Sequence, residues 1–454
     1  MKTKSILFNF ENILLILWVG CLFSINSKIS DLSQVEKNFL YTSIIFLRIA
    51  IPVLVFSILI FFFKIKKLNI FIFSYLIYSI WQLIVLELAS ENLNDISEKY
   101  HLIVSTIAIL LIIHVAEYYK FNNLYIKILY CSILFIGLIS FYLSFLIIID
   151  FVKSKDIFYL YSNNILISEA RTLLQVNPKI TGVSRMLSLV LLFIFSLFIC
   201  TKKNSYIYDF IFLLSIFAIS FLLYGMQSKG SYISILLLLF YYIVFFKDKI
   251  AKKLFIIFII LLLPAISFET IIKIKSESIN NKTKTELRFL NKNTLIVEGV
   301  AVTDYTTGRI EIWKRAFEKI KNKKIFLGYG PQADRLLLTS KNFNPNVPRH
   351  FYDANASNGL IYSYLCAGII GLLFILTVYS LIIYEIYKSI FIKKAFLNKN
   401  SYVIFSILSL SFLSTRTIYE NGFTLFGIDY VFTIISFFIL KKFNSESNNR
   451  NIVA

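Results

Sequence analysis

The sequence predicts an all-α polytopic membrane protein, a bundle of about twelve transmembrane helices with one large external loop. Three observations predict it. Hydrophobic residues make up 57% of 454 and the mean hydropathy is +0.73, far above a soluble globular composition. Apolar runs near the roughly 20 residues that cross a bilayer recur along the chain. Short lysine-bearing loops alternate with less basic ones, as the positive-inside rule requires of successive spans.

The first spans lie at 6–25, 43–63, 69–89, 102–119 and 128–149, so 1–149 reads as an N-terminal transmembrane unit. An external loop follows at 150–185. Central spans at 186–200, 207–224, 231–246 and 254–272 fill 186–272, and 273–358 is the large external loop. Spans at 359–384, 402–414 and 423–440, with a cytoplasmic tail, complete 359–454. The start of the chain resembles a signal peptide, but no small-x-small site follows, and it reads as an uncleaved first span.

Orientation follows from lysine. Lys64/Lys66/Lys67, Lys120/Lys127, Lys202/Lys203, Lys247/Lys249/Lys252/Lys253 and Lys388/Lys393/Lys394 recur on alternate loops, placing them and both termini in the cytoplasm. The net charge of +21 is therefore partly topological, and nucleic acid is excluded as a partner. Cys21, Cys131, Cys200 and Cys366 show no paired spacing, and three scattered histidines offer no zinc set.

Arginine carries the functional signal. The chain has 10 Arg against 37 Lys, and eight of the ten fall on the external side: Arg171, Arg185, Arg288, Arg309, Arg315, Arg335, Arg349 and Arg416. Planar, always-charged forks gathered in the loops of one face suggest a bound phosphate or pyrophosphate. Within the large loop, Ile310, Trp313, Phe317 and Ile320 recur at helical spacing, which predicts an amphipathic helix against lipid or the bundle. Leu327-Gly328-Tyr329-Gly330-Pro331 follows as a sharp turn.

Four pieces would meet at the external surface. They are Asn177-Pro178-Lys179-Ile180-Thr181-Gly182-Val183-Ser184-Arg185, then Ser228-Lys229-Gly230, then a long third piece, then Arg416-Thr417-Ile418-Tyr419-Glu420-Asn421-Gly422 with Gly427-Ile428-Asp429. The third piece runs from Gly308-Arg309 with Trp313 through Gly328-Tyr329-Gly330 to Asp353-Ala354-Asn355-Ala356-Ser357-Asn358, with Gly368 and Gly371 beyond.

Over residues 175–430 this order resembles the O-antigen polymerase and ligase superfamily of bacterial surface polysaccharide assembly. The resemblance implies a GT-C-like glycosyltransferase of the inner membrane. Its donor would be an undecaprenyl-pyrophosphate-linked oligosaccharide, used on the outer side with no cofactor, metal or nucleotide sugar. It brings membrane lipids, a chain-length regulator and a flippase as candidate partners. Arg185 takes the place of the family's arginine in its first functional loop, Arg309 that of its Gly-Arg-x-x-x-Trp element, and Asn358 that of the asparagine before the Gly-x-x-Gly span. The chain has Ser-Lys-Gly at Lys229 where ligases commonly carry Ser-Arg-Gly; lysine keeps the charge and loses the bidentate fork. The ligase His-Asn pair is absent, since Ser357 precedes Asn358. The Arg416…Glu420…Asp429 ending resembles polymerases more than ligases.

The chemistry agrees. An acceptor hydroxyl must attack the anomeric carbon while charge grows on departing pyrophosphate, and fixed guanidiniums stabilise that charge. Arg185 and Arg309 are the expected clamps, with Lys229, Arg416 and Asn358 as further substrate-binding groups. Glu420, Asp353 and His350 are the candidate general bases, and Glu420 also stands at ion-pair spacing from Arg416. The rivals are an O-antigen ligase acting on lipid A-core and, from another class, a lipid-linked oligosaccharide flippase. A flippase predicts internal repeats and paired charges at the midplane, whereas these spans read as almost uncharged.

Overall fold

The computed structural model describes residues 50–58, 68–88, 96–118, 122–154, 180–201, 206–225, 229–246, 249–278, 293–297, 300–304, 309–323, 325–338, 356, 358–418, 420 and 428–450. The first span expected at 6–25 lies outside these residues, as does most of the loop before Ile180.

Residues 50–58 are helical. The bundle then comprises α1 (Ile70–Leu88), α2 (Ile96–Tyr118), α3 (Asn122–Ser154), α4 (Ile180–Cys200), α5 (Tyr206–Gly225), α6 (Lys229–Phe245) and α7 (Lys249–Ser278). A hairpin of β1 (Asn293–Val297) and β2 (Val300–Asp304) follows, then α8 (Arg309–Lys323) and the short α9 (Ala333–Leu338). The chain returns through α10 (Gly359–Tyr387), a π-helical turn at Lys388–Ile392, α11 (Ser401–Thr417) and α12 (Ile428–Arg450). Helices Ile70–Leu88, Tyr206–Tyr224 and Gly359–Ile392 are long and apolar enough to cross a membrane, and four shorter apolar stretches accompany them. The protein is a polytopic helical membrane protein, as its composition predicts.

The hairpin was not anticipated. Its register pairs Asn293 with Asp304 and Val297 with Val300. The β-branched residues Thr294, Ile296, Val297, Val300, Val302 and Thr303, interrupted by Glu298-Gly299, are a recognisable hairpin signal.

Helices α11 and α12 form the centre of the bundle. Each is buried along most of its length, and α11 packs on α4, α6, α10 and α12. Their seam carries small hydroxyl residues, with Ser409 Oγ and Ser436 Oγ 2.9 Å apart. Such residues let helix backbones approach closely while each hydroxyl keeps a hydrogen-bond partner. Around them, Phe71 of α1 stacks on Phe437 with centroids 3.7 Å apart, and Phe193 of α4 meets Phe405 edge-on at 5.6 Å.

One end of the bundle, here the loop face, carries α8 and α9. Ala316 and Ile320 of α8, with Ala333 and Leu338 of α9, are buried against Leu86, Ile103 and Leu365. The amphipathic helix therefore turns Ala316 and Ile320 inward, while Phe317 is exposed and leaves the expected stripe. Helix α4 is closed at its other end by Lys253, whose Nζ donates to Phe198 O at 2.6 Å and Thr201 O at 3.1 Å. A cation there meets the unpaired carbonyls and negative dipole end of the last turn.

Candidate active site

Every arginine expected on the external side that the structure describes stands on a helix, as the amphipathic pattern predicted for Arg309 and Arg315 and not for Arg185 and Arg416. Ile180 already belongs to α4, so Arg185 lies in its second turn rather than before it. Arg416 occupies the last turn of α11, Arg309 and Arg315 are residues of α8, and Arg335 belongs to α9. The apolar run of the sixth span was read too short, because Thr181, Gly182, Ser184 and Arg185 masked its first turns. Arg171, Arg288 and Arg349 lie outside the described residues, as do Asp353 and His350. For Lys229 and Arg309 the structure describes the backbone only: Lys229 opens α6 and Arg309 opens α8.

Two of the expected residues converge on one that was not assigned a role. Asp429, in the first turn of α12, accepts from Arg416 NH1 at 3.0 Å through Oδ2. Arg185 NH1 stands 3.2 Å from the same oxygen. Arg416 NH2 also faces Glu420 Oε2 at 3.5 Å, across one helical turn, and Glu420 N donates to Arg416 O at 2.9 Å. Three separate helices and the bend after α11 thus supply one network of two guanidiniums and two carboxylates.

Its members differ in exposure. The side chains of Arg416 and Asp429 are 1% and 7% exposed, whereas Arg185 and Glu420 are each 24% exposed. Charges buried this far persist only when paired, and the pair then fixes how its helices meet. Arg416 is enclosed by carboxylates and ties α11 to α12. Arg185 is anchored through NH1 and still reaches an open surface. Its Nε and Asp429 Oδ1 are buried with no hydrogen-bond partner among the described residues.

The network is sunk inside the bundle. Tyr430, next to Asp429, packs edge-on against Tyr75 at 5.3 Å and donates to Thr106 O at 3.1 Å. Tyr75 is in the second turn of α1, about 20 Å along the helix from its Leu88 end. Ionisable groups at such depth in apolar helices mark functional positions by default. Asp429 was legible on that ground, as an acid opening an apolar helix after Arg416.

Asn358 links this network to the loop face. Its Oδ1 accepts from Leu360 N at 2.9 Å and Ile361 N at 3.0 Å, capping α10. Its Nδ2 donates to Ile418 O at 3.1 Å, two residues beyond Arg416. Immediately before it, the buried Ala356 is held from two sides. Trp313 Nε1 donates to Ala356 O at 2.9 Å, and Ala356 N donates to Asp334 Oδ2 at 3.0 Å. Helices α8 and α9 therefore fix the strand of chain that ends in Asn358. Sequence reasoning missed Asp334, which carries no motif and reads as a solvated charge.

Among the described residues no cluster of His, Cys, Asp and Glu could hold a metal ion. Cys131, Cys200 and Cys366 are free thiols.

Residues 213–376 match the family model described as O-antigen ligase. The match supports a relation of this segment to the O-antigen ligase and polymerase superfamily. The matched segment runs from α5 into α10 and takes in Lys229, Arg309, Trp313, Asn358 and Gly368. Arg185, Arg416, Glu420 and Asp429 lie on either side of it. No curated protein and no solved structure matches the chain. Members of the matched family are glycosyltransferase-like enzymes, and the match supports a function of O-antigen polymerase or ligase type for this helical membrane protein.

Proposed function

We propose that this protein is a polysaccharide polymerase. It transfers a growing oligosaccharide from undecaprenyl pyrophosphate to the acceptor end of another lipid-linked repeat unit. The reaction takes place on the outer side of the bacterial plasma membrane, with both termini in the cytoplasm. In the reaction an acceptor hydroxyl oxygen bonds to the anomeric carbon, the bond from that carbon to the pyrophosphate oxygen breaks, and the proton leaves with a base.

The observation that carries this reading is the Arg185–Asp429–Arg416 arrangement, in which a buried carboxylate holds a partly exposed guanidinium in place. A cation held before the reaction stabilises the departing pyrophosphate without reorganising. A fixed fork also suits a diphosphate better than a mobile lysine. Arg309 and Lys229 open helices in the family segment, and we assign them to the same anion, with Asn358 orienting the chain beside it. Glu420 is the described carboxylate with the exposure to accept the hydroxyl proton; Asp353 and His350 remain as alternative bases.

A second reading, ligation of finished glycan to lipid A-core, is favoured by the matched family being that of O-antigen ligases. The polymerase reading rests on the Arg416…Glu420…Asp429 ending acting as one unit with Arg185. Surface glycan from cells lacking the protein separates the two. Lipid A-core carrying one repeat unit identifies a polymerase; full-length polymer stranded on the lipid carrier identifies a ligase and overturns the proposal.

A further inference from the structure

Helix α10 is broken at Gly368, whose φ of 63° and ψ of −167° no helix contains. A break leaves carbonyl groups without their helical donors, which is costly inside a bilayer unless something else supplies them. The Gly328 turn supplies them. Tyr329 N donates to Leu365 O at 3.0 Å and Gly330 N to Cys366 O at 2.9 Å. Trp81 Nε1 of α1 donates to Ala367 O at 2.8 Å. In return Ile369 N, beyond the break, donates to Ile325 O at 2.9 Å. Gly328 and Gly368 cross so closely that a Cβ on either would run into the other segment's backbone, and both have positive φ.

This pairing fixes the depth of the turn. Helix α1 has 19 residues, Ile70–Leu88, and is itself long enough to span the hydrocarbon core. Trp81 lies about 10 Å along it from the Leu88 end. Residues 325–330, stitched to the same stretch of α10, therefore sit about that far below the loop-face boundary. Yet Ile325, Phe326 and Leu327 point outward, with Phe326 68% exposed. They continue the outward-facing row of Ile369, Leu373 and Leu376 on α10.

We propose that residues 325–331 form a re-entrant membrane segment whose Ile325, Phe326 and Leu327 side chains lie among the acyl chains of bilayer phospholipid. Irregular chain is tolerated at such depth where protein supplies its hydrogen-bond partners, and α10 supplies them to Tyr329 N, Gly330 N and Ile325 O. Three consecutive apolar side chains at that level, continuous with a spanning helix's outer row, fit hydrocarbon and not water. The segment thereby pins the C-terminal end of α8 to the membrane and sets the height of the helix that Arg309 opens.

The test is collision accessibility of a nitroxide at Phe326→Cys in the full-length protein, reconstituted into nanodiscs of defined phosphatidylcholine and phosphatidylglycerol. Unsubstituted protein reports any labelling of native cysteines, Leu373→Cys serves as the lipid-facing standard, and Lys319→Cys as the polar one. Phe326→Cys is expected to match Leu373→Cys, with high oxygen access and loss of collisions with a water-soluble nickel chelate. Access to the chelate equal to that of Lys319→Cys overturns the proposal. Protection from both reagents also overturns it, since the surface is then covered by a second copy or another protein. A fall in oxygen access on adding undecaprenyl phosphate assigns the surface to the substrate's chain and overturns the phospholipid assignment. Leu327→Cys repeats the measurement where Phe326→Cys fails to give a monodisperse protein.

Discussion

Arg185 of α4 reaches Asp429 of α12 at 3.2 Å, and the oxygen it reaches is the one that already accepts from Arg416 at 3.0 Å. One carboxylate thus serves two guanidiniums with different surroundings. The buried Arg416 neutralises Asp429 and locks α11 to α12. The less buried Arg185 uses the same carboxylate as a fixed post.

Arg185→Ala should leave the protein folded and inserted, because the side chain is 24% exposed and Asp429 keeps Arg416. Polymer formation should fall about 10²–10³-fold, the usual effect of removing one donor that faces developing charge. Arg185→Lys should restore only part of it, since an ammonium lacks the fork. Gel profiles of surface glycan, read beside immunoblots of membrane fractions, measure both. Normal chain lengths in Arg185→Ala would remove it from the site.

Asp429→Ala should behave differently. It leaves the 1%-exposed Arg416 with Glu420 as its described carboxylate, so stability in detergent should fall by about 3–5 kcal/mol, as when a buried pair loses one member. The double variant Asp429→Leu with Arg416→Met should recover most of that stability, because a buried ion pair replaced by apolar residues is often neutral or better. It should not recover polymer formation, because Arg185 would still lack its post. Recovery of activity in the double variant would show that the network is scaffolding alone.

For Glu420→Gln the discriminating quantity is activity at unchanged stability. The amide keeps the shape and a hydrogen bond to Arg416 and removes the proton acceptor. If Glu420 is the general base, polymerisation should drop about 10²–10⁴-fold while the thermal midpoint stays within about a degree. Full-length glycan in this variant would leave Glu420 as Arg416's partner and return the role to Asp353 or His350.

Gly368→Ala should destabilise the protein even though alanine favours helices. A non-glycine residue held at this φ and ψ costs about 1–3 kcal/mol, and the added Cβ would also press on the Phe326 carbonyl. Reduced membrane yield and a lower melting temperature are expected. An unchanged melt for Gly368→Ala would mean that α10 runs straight through this point.

Much of the architecture was legible because hydrophobic length is a property of local sequence. The onset of α10 at Gly359 follows from Asn358, a good cap before an apolar run. The onset of α4 was misplaced because polar residues in its first two turns look like loop until their partners are known. Arg185 appears as a surface charge when α12 is left out of view. Of the buried network, Arg185, Arg416 and Glu420 had been singled out by residue type, whereas Asp334 and the joining role of Asp429 had not. Their importance lies in the partners they meet, Ala356 in one case and two arginines in the other.

Sequence by itself determined that this chain spans a membrane many times and that residues 213–376 match a family model. Each of these is written in composition or short spacing. Only the tertiary structure decided that Asp429 joins Arg185 to Arg416, and that the Gly328 turn completes the broken helix at Gly368. Both bring together segments far apart along the chain. Contacts of that kind arise from packing geometry, and no local periodicity encodes them.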